Sequence, residues 1–215
     1  MTARAPARRY VAIVALALLL TGALFAPVAT AAKKKSSNLF SQQVTTASAI
    51  PDRVGAGPST PLTATINVPK KFKGREVADV NVTGLQTTGS AGGAAPHLTA
   101  YLTAPGGRTL QLFFAVGDQS LGPWTLDDDT RTSICNSGGP LCADPDQALY
   151  RPFAGTSNVL RNWTGNFPVN GALSIFNGVG MKGTWKLTVV DGTAGLTSVL
   201  NQWGLRIQAA RKAKP

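Results

Sequence analysis

Histidine is almost missing from this chain of 215 residues, with His97 its only example. A serine-type hydrolase needs an imidazole to take the hydroxyl proton and a carboxylate to orient it. His97 stands at a predicted strand start beside a Gly/Ala loop and reads as an edge residue, not a catalytic base. No G-x-S-x-G elbow surrounds any serine. Glutamate also occurs once, as Glu76, so the paired carboxylates of a glycoside hydrolase would have to be aspartates. Cysteine is limited to Cys135 and Cys142, too few soft ligands for a zinc centre. Charged residues make up 14% of the chain, against a usual quarter. No apolar pattern of helical period and useful length follows the first 31 residues, and no internal repeat is visible. Together these absences disfavour a helical enzyme and favour an all-β module.

What is present begins with a secretory design. Arg4, Arg8 and Arg9 form a positive start, Tyr10 to Leu20 an apolar core, and Ala29-Thr30-Ala31 a small-residue cleavage site. The apolar run ends near Ala26, short of the ~20 residues a spanning helix needs. Residues 1–31 are therefore expected to be a signal peptide cleaved near Ala31, and the protein to be secreted with no stable transmembrane segment afterwards. Residues 32–61, rich in Lys, Ser, Thr, Ala and Pro, read as a disordered tether, because such a composition buries too little apolar surface to offset its ordering entropy.

From Leu62 the pattern changes to period two, the mark of strands with one face buried. Leu62, Ala64, Ile66 and Val68 alternate up to Pro69, which cannot donate to a ladder. A basic turn, Lys70 to Arg75, leads to a second strand through Val80, Val82 and Leu85. His97 to Ala104 and Arg108 to Val116 flank the hairpin turn Pro105-Gly106-Gly107, with Leu110, Leu112 and Phe114 expected on one face. Gly117 to Asn170 lacks clear periodicity. Leu173 to Phe176 reads as a short apolar strand or turn. Trp185/Leu187/Val189 and Trp203/Leu205/Ile207 then mark two long strands joined by a Gly-containing loop. The fold class expected is an antiparallel two-sheet β-sandwich over residues 62–209, followed by a basic tail at 210–215.

The formal charge of +11 is unevenly placed. Without Arg4, Arg8 and Arg9, 18 basic residues face 10 acidic ones. Six of those 18 lie in Lys33-Lys34-Lys35 and in Arg211, Lys212 and Lys214, so the body between is close to neutral. A nucleic-acid partner needs a basic stripe on the folded body and is not expected. Basic tails either solubilise the chain or touch anionic cell-envelope polymers.

Several motifs in sequence order resemble the P domain, also called the P/Homo B domain. They are Pro105-Gly106-Gly107, Leu126-Asp127-Asp128-Asp129-Thr130, Tyr150-Arg151-Pro152, Ala172 to Gly178, Gly183-Thr184-Trp185-Lys186-Leu187-Thr188-Val189-Val190-Asp191 and Leu200-Asn201-Gln202-Trp203-Gly204-Leu205. This module follows the catalytic domain of kexin- and furin-like proprotein convertases and of many secreted bacterial subtilisin-like proteases. The resemblance covers residues 62 to 209, and Gly183, Trp185, Asp191, Asn201 and Trp203 carry its signature. It implies a jelly-roll-like, galactose-binding-like sandwich that stabilises a protease without catalytic residues of its own. The serine endopeptidase activity associated with the family belongs to a catalytic segment not found in this sequence. The chain also departs from the family's pattern at His97-Leu98, where Gly-Asp-Leu is common, and at Ala194 to Thr197, which lacks the family's Asp.

Three site readings remain. Asp127, Asp128 and Asp129, with Asp144 and Asp146 nearby in sequence, could give calcium hard oxygen ligands, or form an exposed acidic turn. In an exported chain Cys135 and Cys142 are expected to form a local disulfide. Trp124, Tyr150, Trp163 and Phe167 would suffice to line a carbohydrate-binding face, though packing explains them more simply. The function expected is a secreted, non-catalytic module that binds or stabilises a secreted protease or another extracellular protein. The alternatives are a carbohydrate- or envelope-binding module and, less favoured, a hydrolase with an unrecognised carboxylate site.

Overall fold

A computed structural model describes residues 38–55, 59–89, 98–116, 120–130, 149–152 and 171–210. Within them the strands are β1 (Leu39–Ile50), β2 (Leu62–Val68), β3 (Val77–Gly89), β4 (Leu98–Thr103), β5 (Thr109–Val116), β6 (Ser120–Leu126), β7 (Leu149–Tyr150), β8 (Gly183–Asp191) and β9 (Ser198–Ala209). They form a five-stranded sheet in the order β1-β9-β3-β6-β7 and a four-stranded sheet in the order β2-β8-β4-β5. Every pairing is antiparallel except β6 with β7. The expected two-sheet all-β sandwich is what the chain forms.

The two strands of the tryptophan-bearing stretch do not pair with each other. β8 lies between β2 and β4 in one sheet, and β9 lies between β1 and β3 in the other. Residues 192–197 are thus an arch from sheet to sheet, not a hairpin loop. The arch lets both apolar stripes face the same interior. Trp185 on β8 and Trp203 on β9 are each fully buried, and both belong to one core with Leu187, Leu205, Ile66, Val82 and Phe176. Trp185 also stacks edge-on against Phe176, with ring centroids 5.4 Å apart.

The region expected to be a tether is in part a strand. Leu39 to Ile50 pairs along β9, from Leu39 opposite Gln208 to Ile50 opposite Ser198. Only Phe40 and Ile50 are buried in it, with Val44 half-buried. A register shift between Thr45 and Ser48, with Ala47 at φ 46°, interrupts the pairing, and the inward positions there are Thr46 and Ser48. The strand is held by backbone ladder bonds and a few apolar anchors, among them Phe40 set edge-on to Phe72 at 5.8 Å. Ser59 then ties the following segment to the arch, its hydroxyl accepting from Asp191 N–H at 2.8 Å. The folded body therefore begins well before Leu62.

Two smaller expectations concern a turn and a strand. Leu173 to Phe176, read as a short strand or turn, takes the second form, a 3-10 turn. On β5 a register shift near Leu112 places Phe113 in the core beside Leu110 and Leu112, while Phe114 is buried apart from that core. Thr188, Tyr101 and Gln111 sit abreast across β8, β4 and β5, and all three are buried. The outer face of this sheet is thus covered at these three positions, while Thr65 and Lys186 toward the β2 side are exposed, and burial pushes the Tyr101 phenol well above its ordinary range.

The two indoles differ in one respect that predicts their relative worth. Trp185 Nε1 donates to Met181 O at 3.0 Å, whereas Trp203 Nε1 is buried without a hydrogen-bond partner among the described residues. Replacing Trp185 with Phe shrinks the side chain and leaves the Met181 carbonyl without this donor. Replacing Trp203 with Phe also removes an unsatisfied N–H. Trp203→Phe should therefore cost about 1 kcal/mol less stability than Trp185→Phe, as read from paired urea denaturation curves.

Candidate functional site

Asp127, Asp128 and Asp129 leave the end of β6 in succession and enter a turn at Asp128 and Asp129, where their side chains part. Asp128 reaches the 3-10 turn, where Oδ1 accepts from Leu173 N–H at 2.8 Å and Oδ2 from Ser174 N–H at 2.7 Å. Its carboxylate thus satisfies two amides at the start of that turn. Asp127 turns the other way. Its Oδ2 accepts from Asn81 Nδ2 at 2.9 Å and its Oδ1 from the amide of Asp129, also at 2.9 Å. The backbone is fixed as well, with Asp127 N–H donating to Tyr150 O at 2.8 Å and Arg151 Nη2 to Asp128 O at 3.2 Å.

Asp127 and Asp128, two of the three aspartates of the calcium expectation, thus turn to different partners. Among the described residues no group of three or more His, Cys, Asp or Glu side chains could hold a metal ion. Asp144 and Asp146 lie outside the described residues, as do His97 and the pair Cys135 and Cys142 with their expected disulfide.

The structure instead draws in a partner that sequence spacing could not show. Asp79, on β3, is close enough to Asp127 and Asp129 to feel their charge. Burial first, and then those two carboxylates, push the Asp79 carboxyl above its ordinary value of 3.8, against the opposing pull of the Val80 backbone and Arg206. Asn81, two residues on, is buried, and its Oδ1 has no partner among the described residues. Asn81-Val82-Thr83 has the N-x-[ST] form of a glycosylation acceptor, but its asparagine is buried in the folded chain.

The signature residues serve the scaffold. Asp191 is fully buried, its Oδ1 accepting from Thr193 N–H at 2.8 Å at the start of the arch. Asn201 Nδ2 reaches Thr88 Oγ1 at 3.3 Å across β9 and β3. Gly183 begins β8 against the hairpin turn, where an added Cβ would lie 2.8 Å from Pro105 Cβ. Of the aromatics considered for a carbohydrate face, Tyr150 is buried and packs edge-on to Trp124 at 5.2 Å. Trp163 and Phe167 lie outside the described residues. No helix among the described residues is long and apolar enough to cross a membrane.

The Asp79 cluster sets a pH dependence whose sign follows from linkage. Its folded-state affinity for a proton exceeds that of the unfolded chain. Stability therefore falls as pH rises from 3.8 through the folded value, and the loss persists above it. Asp79→Asn should melt at a higher temperature than the parent at neutral pH and at the same temperature below pH 3.8, as measured by differential scanning calorimetry across that range.

No family model matches the chain, and no curated protein matches it.

Proposed function

We propose that the chain is an exported, non-catalytic β-sandwich of P-domain type that binds or stabilises a partner in extracellular subtilisin-like proteolysis. The observation that carries this reading is how the chemistry-bearing side chains are used. Asp128 is engaged by two backbone amides, and Asp191 pins the arch from a fully buried position. Trp185 and Trp203, the most distinctive residues of the resemblance, sit in the core and not on a surface. Motifs that place their polar members on the backbone and their aromatics inside specify an architecture and not a reaction centre. An accessory module acts through its outer surface, so such a design suits it.

The opposing class is a hydrolase using the Asp127 to Asp129 carboxylates. Asp128 is poorly placed for such a role, because both of its carboxylate oxygens are already taken by the amides of Leu173 and Ser174. The test has two arms. The purified chain should turn over neither casein nor mixed glycoside substrates, and at equimolar ratio it should lengthen the thermal half-life of a secreted subtilisin-like protease more than albumin does. Turnover that disappears in an Asp128→Asn variant of unchanged melting temperature would place the chain among hydrolases. Half-lives equal to those with albumin would remove the accessory role.

A further inference from the structure

One end of the sandwich carries a cleft built from two turns a hundred residues apart. After β2 the chain runs through Lys70, Lys71 and the buried Phe72 to Arg75, and before β8 it runs through Gly178 to Lys182. Backbone bonds stitch the turns together. Val77 N–H donates to Val179 O at 2.8 Å, Met181 N–H to Arg75 O at 2.9 Å, and Glu76 forms a bridge with Gly180. Between them lies a cavity of about 340 Å³ lined by Lys73, Arg75, Glu76, Lys182 and three glycines, a size that accommodates a small ligand group.

The charge around this cleft is one-sided. Lys73, Arg75 and Lys182 line it, Lys70 and Lys71 flank it, and Glu76 is the only carboxylate in its wall. Neither Lys73 nor Lys182 is engaged by a carboxylate among the described residues. Both basic segments of the sequence attach at this end. Ala209 N–H donates to Asn38 O at 2.7 Å and Ala210 N–H to Glu76 O at 2.8 Å. Lys35 precedes Asn38 by three residues in the sequence, and Arg211 follows Ala210 directly. A body that is nearly neutral in sum therefore has one strongly basic pole.

We infer that this pole binds a polymer of repeating phosphate groups, with one phosphate seated in the cleft between Lys73, Arg75 and Lys182. The cavity surrounds a compact anion with point charges, which suits tetrahedral phosphate. Lys73 and Lys182 offer the point charges by which lysine holds phosphate, and Arg75, whose guanidinium is held by Asn38 Oδ1 and the Phe72 ring, adds its charge beside them. Cations that continue beyond the cleft to Lys70 and Lys71 give little to a single small anion and much to a chain of them. A nucleic acid would want an exposed aromatic for its bases. Phe72 cannot serve, since it is buried beneath Lys71 and Arg75. The inference does not rest on the protease association.

Gly180 supplies a clean test. It is exposed, its backbone is outside the left-handed region, and an added Cβ would meet nothing within 4 Å. Gly180→Glu should therefore fold normally while placing a negative charge in the cleft. Binding of the full chain to labelled polyol phosphate polymer and to inorganic polyphosphate is measured by fluorescence anisotropy. Both should bind at 50 mM salt and weaken ~10-fold by 200 mM, as expected when about two phosphates are neutralised. Gly180→Glu should weaken binding by a similar factor at an unchanged melting temperature, and the double variant Lys73→Ala/Lys182→Ala should do the same. Tighter binding of the polyol phosphate would make the ligand an envelope polymer, and tighter binding of polyphosphate a free one. No binding at low salt would overturn the inference. So would tighter binding to poly(dT), or parental affinity in both cleft variants while deletion of residues 33–35 and 211–215 abolishes it.

Discussion

Two amphipathic strands that follow one another in sequence have to bury their stripes against the same interior, and in this protein they do so from opposite sides. If β8 and β9 paired as a hairpin, Trp185 and Trp203 would emerge on one face of one sheet, and another layer would have to be recruited to cover both. Crossing from sheet to sheet makes each strand the cover of the other. The arch that permits the crossing carries heavy local bonding for this reason. Asp191 holds Thr193, Ser59 holds Asp191, and the Asp52 carboxylate accepts from Gly195 N–H. Arg53 reaches Gly192 O from the same segment. The sandwich is closed by side chains placed where the sheets exchange the chain.

The same constraint explains the use of the acidic residues. A sandwich with few helices has few places to satisfy backbone amides outside its ladders, and each irregular connection needs acceptors. Asp128 provides them for the turn at Leu173 and Ser174, as Asp191 and Asp52 do around the arch. Carboxylates engaged in this way are held in one orientation by neutral donors. Asp79, whose surroundings disfavour its charge, stands in no motif that sequence spacing singles out. Its neighbours Asp127 and Asp129 come from the far side of a sheet pairing and not from its own strand.

Period-two alternation located most of the strands with long apolar stripes, β2, β3, β4, β8 and β9 among them, because a half-buried strand writes its burial directly into spacing. It failed for β1, whose inward positions are Phe40, Val44 and Ile50 among Ser, Thr and Gln. A bulge interrupts that strand, and its stability comes from pairing along β9. Alternation also says nothing about which sheet a strand joins, so the arch was read only as a loop. The basic cleft was out of reach for a related reason. Lys73 and Lys182 are unremarkable in their own neighbourhoods, and only the bridge from Glu76 to Gly180 brings them together.

β1 and β9 lie side by side and antiparallel, with Asn38 bonded to Ala209 at the end where one begins and the other finishes. Tension applied through those two ends would open the ladder one bond at a time, as a zipper is pulled, and not shear all its bonds at once. A body of this build is suited to being tethered from a single side, and poorly suited to serving as a link in a chain under load.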